Sequence, residues 1–128
     1  MPEPIAYDYA VVRVVPRVDR DESINAGVIL FAPQKRFLAA RTHIDEARLR
    51  ALWPDVDIEH IRRHLEAIPR IASGDPEAGP IARMSQSARF HWLTSPRSTM
   101  IQISPVRTGI SAEPEKLLDH LTSELVAV

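Results

Sequence analysis

The stretch Ile5–Val15, I-A-Y-D-Y-A-V-V-R-V-V, constrains this chain more than any other. It is rich in tyrosine and valine, residues that fit a pleated, half-buried surface. Alternation puts Tyr7, Tyr9, Val11, Arg13 and Val15 on one face and Ala10, Val12 and Val14 on the other. Both faces are largely apolar after Tyr9, which predicts a central strand with neighbours on each side. Pro16 has no N–H for a ladder, so pairing ends there or reaches an edge. The fold must therefore be built around a sheet.

The next segments supply partners. Asn25-Ala26-Gly27 opens a second strand that continues through Val28–Ala32, and Gly27 reads as a bulge beside Asn25 or a close backbone approach. Both Asn25 and Gly27 are carried as candidate site-lining residues. Phe37–Thr42 is a third strand beyond the turn Pro33–Arg36. Asp45 caps a short helix to Leu52, and Asp55 or Asp57 caps a second to about Ala72. Ile58, Ile61, Leu65, Ile68 and Ile71 form its apolar stripe. Pro69 lies inside that stripe and should kink the helix or end its regular part near Ile68. A last helix runs from about Pro114 to Ala127, burying Leu117, Leu118, Leu121 and Leu125.

Between them lies the chemically suggestive stretch, Ser85–Gly109. Arg89–Thr94 and Ser98–Ser104 alternate on either side of Ser95-Pro96, which reads as a β-hairpin followed by a loop to Gly109. From residue 78 to 112 there are four arginines, Arg83, Arg89, Arg97 and Arg107, and no acid, against a whole-chain charge of −1. The order is β-β-β-α-α-β-β-α. Hairpin-joined strands are antiparallel and the helices cluster, so the class is α+β: a sheet of about five strands with helices largely on one face. The expected core holds Val12, Val14, Val28, Leu30, Ile61, Leu65, Phe90, Trp92, Ile101, Leu118 and Leu121. With 128 residues, the chain reads as a single domain, 1–128.

Several chemistries are excluded or unsupported. There is no cysteine, so disulfides, thiol catalysis and zinc–thiolate sites are out, and the cytoplasm is the expected compartment. No apolar run approaches the ~20 residues of a membrane span. His60 and His64 have a metal-binding spacing, but Ile61 stands where a zinc protease needs glutamate, and no third ligand is evident. With four glycines in all, no glycine-rich phosphate loop exists, and no serine elbow is present, so neither a cofactor nor an enzyme is indicated. A pI near 6.5 argues against general DNA binding. The remaining candidate is an anion-binding face of Arg89, His91, Arg97, Arg107 and Thr108.

The runs Y-D-Y-A-V-V-R-V-V-P-R, N-A-G-V-I-L-F and R-F-H-W-L-T-S-P-R-S-T-M-I-Q-I-S-P-V-R-T-G resemble the bacterial domain-of-unknown-function family numbered 3037, over nearly the whole chain. The resemblance implies a small bacterial protein and, through frequent gene neighbourhood, a HipA-like kinase as partner. It implies no catalytic residue. Two functions stay open: a non-catalytic interaction or regulatory module, or an enzyme or binder of a phosphorylated or nucleotide ligand using the basic 83–109 region.

Overall fold

The computed structural model describes residues 3–95 and 100–126. In chain order these form β1 (Ile5–Val14), β2 (Ile24–Ala32), β3 (Phe37–Thr42), α1 (Glu46–Leu52), α2 (Ile58–Ser73), α3 (Gln86–Thr94), β4 (Ile101–Ile103), β5 (Arg107–Ser111) and α4 (Pro114–Leu125). Short 3-10 turns span Pro33–Lys35, Pro76–Ala78 and Pro80–Arg83. The class is α+β with a five-stranded antiparallel sheet. β1 is central, as its two apolar faces predict: β2 and then β3 lie on one side, and β4 and β5 both pair with its other side.

Two hydrophobic layers sandwich the sheet. On one face Val12, Val14, Ile29, Phe31, Leu38 and Ala40 pack against Leu49 of α1, the Ile58–Ile61–Leu65–Ile68–Ile71 stripe of α2, and Phe90 and Leu93 of α3. On the other, Ile5, Val28, Leu30 and Ala32 pack against Leu118 and Val126, with Leu117, Leu121 and Leu125 at the margin. Three helices thus share one face and α4 covers the other, over β2 and β3.

Phase along β2 is kept by a bulge. Val12 pairs with Gly27 but Arg13 with Asn25, so Ala26 is extra. Without it Ile24 and Ala26 would leave the α1–α3 face. Gly27 is required by close approach: a Cβ there would lie 2.7 Å from the Arg41 backbone oxygen.

Four expectations are corrected. Arg89–Thr94 is the helix α3, not a hairpin strand. Ser85 Oγ accepts from the Ala88 N–H at 3.2 Å and starts the helix, and the i, i+3 pair Phe90 and Leu93 fills the core. Trp92 lies off that face and is 39% exposed rather than core; the other expected core residues are buried, with Leu121 at the margin. Arg107–Gly109, expected in a loop, instead belong to β5, which pairs with Ile5–Tyr9. And the regular part of α2 does not end near Ile68 but runs through Pro69 to Ser73. Proline leaves the carbonyl four residues earlier, that of Leu65, without its helical donor. Thr42 Oγ1 on β3 donates to that oxygen at 3.3 Å.

Candidate functional site

The expected site residues that are described fall on three elements, β2, α3 and β5. Arg89, on α3, donates from Nη1 to the Met84 carbonyl at 2.7 Å and from Nη2 to the Ala72 carbonyl at 3.3 Å. It thereby closes the C-terminal end of α2, where Gly74 takes φ 79°. His91 is exposed on the same helix, and its carbonyl accepts from Ser95 Oγ at 2.7 Å. Asn25 Nδ2 donates to the Leu125 carbonyl at 3.1 Å and pins the last turn of α4, while Gly27 is buried under β3. Arg97 lies outside the described residues. Arg107 and Thr108 are exposed on β5. Arg107 pairs across to Tyr9, on the sheet face that α4 shares, whereas α3 packs on the opposite face.

A shallow cleft of about 240 Å³ opens between β3 and α2, lined by Thr42, His43, Ile44, Arg62, Leu65 and Glu66. It holds none of the expected site residues that are described. Arg62 is engaged there: its bond to Glu59 foremost, and its pairing with Glu46, raise its pKa further and keep it charged. Among the described residues no group of three His, Asp or Glu side chains is placed to hold a metal ion.

The region around Arg107 and Thr108 is the more distinctive one. β4 and β5 run along the same edge of β1, and their registers differ by one residue: Val12 meets Ile103, whereas Tyr9 meets Arg107. Pro105 and Val106 therefore share one place opposite β1, a bulge that accommodates a residue unable to donate to the ladder. Ser104 anchors the bulge. Its N–H donates to the Val11 carbonyl at 2.9 Å, and its Oγ accepts the Val11 N–H at 2.8 Å. Ser104 is 5% exposed, a buried polar residue with both groups satisfied.

From Val11 the direction of β5's hydrogen bonds follows. Val11 and Val15 bond toward this edge, so by alternation Tyr9, Tyr7 and Ile5 do too. Their partners Arg107, Gly109 and Ser111 then bond inward, and the N–H and C=O groups of Thr108 and Ile110 face out. Among the described residues β5 pairs only with β1. Ile110 is 74% exposed and Val106 44%. Thr108 Oγ1 donates to Asp8 Oδ1 at 2.9 Å across the pair. The Tyr7 ring lies over Gly109, where any Cβ would collide with it, and the Tyr7 and Tyr9 rings sit 6.0 Å apart. Sequence reading found Arg107 and Thr108 but missed Ile110 and the tyrosines. The available signal was R-T-G-I-S alternating just after a proline suited to an edge bulge.

Fold and surface together define an α+β protein with a two-sided sheet in which β5 is an exposed edge strand. The chain belongs to the family described as "Protein of unknown function (DUF3037)", whose model matches residues 9–126, in agreement with the resemblance carried by its motifs. No curated protein and no solved structure matches it.

Proposed function

We propose that this chain is a non-catalytic interaction module of the bacterial cytoplasm, engaging another protein through the β5 edge, with the HipA-like kinase implied by the family resemblance as the first partner to test. The observation that carries this reading is the outward-facing backbone of Thr108 and Ile110 beside an Ile110 side chain left 74% exposed. A strand edge with open donors and acceptors is a template for pairing with another chain. No helix of the described residues is long and apolar enough to cross a membrane.

The rival reading, a phosphorylated or nucleotide ligand held by residues 83–109, has less support. Arg89 is engaged by two carbonyls, and the β3–α2 cleft collects none of Asn25, His91 and Arg107. The test is co-expression with a HipA-like kinase, followed by tagged purification and size-exclusion chromatography at several salt concentrations. Co-migration as one species, lost in Ile110→Lys, is the expected result. Recovery of no protein partner at any salt overturns the reading.

A further inference from the structure

We infer that β5 receives an extended segment of a partner as the sixth strand of the sheet, and that this segment alternates apolar with acidic side chains. The inference rests on the interaction-module reading and adds the chemistry of the partner.

A strand laid against β5 bonds to the outward N–H and C=O groups of Thr108 and Ile110. Its side chains then alternate between the two faces of the sheet. On one face they lie beside Thr108 and Ile110. Ile110 has no apolar cover, so an aliphatic neighbour there removes exposed hydrocarbon from water. On the other face they lie beside Arg107 and Gly109. Arg107 makes no ion pair among the described residues. Nor do its strand neighbours on this face supply an acid: the β1 residues pointing that way are Ile5, Tyr7, Tyr9, Val11 and Arg13, and residues 101–111 contain none. The acid on β1, Asp8, points to the opposite face and is bonded by Thr108. A carboxylate on the incoming strand therefore meets an uncompensated guanidinium. Beside Gly109 the incoming strand meets the ring of Tyr7.

A second copy fits the edge less well. Two β5 strands related by a two-fold axis through Gly109 would satisfy the outward groups of Thr108 and Ile110, but each Arg107 would face Ser111 of the other copy and remain without an acid.

The experiment is fluorescence anisotropy with short dye-labelled peptides of alternating valine and glutamate, alternating valine and lysine, and valine–glutamate interrupted by proline. The full chain is used, with Arg107→Ala, Ile110→Pro and Ile110→Lys. Ile110 bonds outward, so proline there removes a docking donor without removing a donor to β1. Ile110→Lys is the second edge-blocking variant, should Ile110→Pro lower the melting temperature. The expected result is saturable binding of the valine–glutamate peptide alone. Binding weakens about fivefold in Arg107→Ala, as for an exposed ion pair, and falls further as salt is raised. It is lost in both Ile110 variants. Equal binding of the lysine peptide, unchanged binding in both Ile110 variants, absence of any peptide binding, or a dimer that Ile110→Pro dissociates would each overturn the inference. A kinase complex that forms normally while the peptides fail to bind would leave the interaction module standing and remove the strand-docking chemistry.

Discussion

Thr42 Oγ1 lies 3.3 Å from the carbonyl oxygen of Leu65, the residue four before Pro69. A strand hydroxyl thus occupies the position that a helical N–H would fill, and α2 continues through its proline. Thr42→Val should lower stability by about 1 kcal/mol, because a partly buried acceptor loses its donor. In a Pro69→Ala background the helix supplies its own N–H to Leu65. The same Thr42→Val change should then cost almost nothing. Urea unfolding of the four proteins measures this coupling, and additive effects would show that the two sites act independently.

Ser104→Ala should destabilise by about 1–3 kcal/mol, since the buried Val11 N–H loses its acceptor. Ser104→Thr, which keeps the hydroxyl, should stay near wild type. Amide hydrogen exchange localises the effect: Val11 should lose protection in Ser104→Ala more than Ile29 in the paired strand β2 does.

The two best-placed arginines should behave differently. Arg89 ties α3 to the end of α2 through two carbonyls, so Arg89→Ala should cost about 1–3 kcal/mol. Arg107 has no such task, and Arg107→Ala should change stability by less than about 0.5 kcal/mol. Thermal melts of both variants decide the matter; equal losses would contradict the distinct roles assigned to them.

Two glycines face different obstacles. At Gly27 a Cβ meets backbone, 2.7 Å from the Arg41 oxygen, and the strands must part. Gly27→Ala should cost about 1–3 kcal/mol, as overpacking does. At Gly109 the obstacle is the end of the Tyr7 side chain, which can swing aside. Gly109→Ala should therefore cost less than about 1 kcal/mol, part of it offset by the lower chain entropy of alanine. Denaturant midpoints rank the two.

Acid should weaken one loop in a defined way. The Glu77 N–H, 2.9 Å from Asp75 Oδ1, and then the Arg70 guanidinium, 3.0 Å from Oδ2, hold the Asp75 carboxyl below the ordinary carboxylate range. A carboxyl whose pKa is depressed on folding contributes stability that is present above its unfolded value, about 3.9, and lost as pH falls through the lower folded value. NMR titration should place the Asp75 midpoint below that of an exposed reference aspartate. Asp75→Asn should flatten the acid side of the stability profile; an unshifted midpoint would contradict the assignment.

The elements with a single consistent signal were legible in the residues alone. β1 has apolar character on both faces and sits at the centre of the sheet. The Ile58–Ile71 stripe repeats over four turns and is the buried face of α2, and its aspartate cap lies where the pattern begins. Motif resemblance reached the family. Phase and pairing of the short segments were not legible, because a few residues satisfy two periods at once. Phe90, Trp92 and Thr94 alternate as a strand would, yet Phe90 and Leu93 also suit a helix, and the core between α2 and the sheet selected the second. Arg107–Ser111 follows a proline and contains a glycine, so it reads as loop until Ile5–Tyr9, about a hundred residues earlier in the chain, offers its edge. The candidate surface divides in the same way. Composition alone marks Arg107 and Thr108 as basic and polar in an acid-free stretch. Only tertiary pairing turns the backbone of Thr108 and Ile110 outward, lays Tyr7 over Gly109 and commits Arg89 to the end of α2, since each of these depends on contacts between residues far apart in sequence.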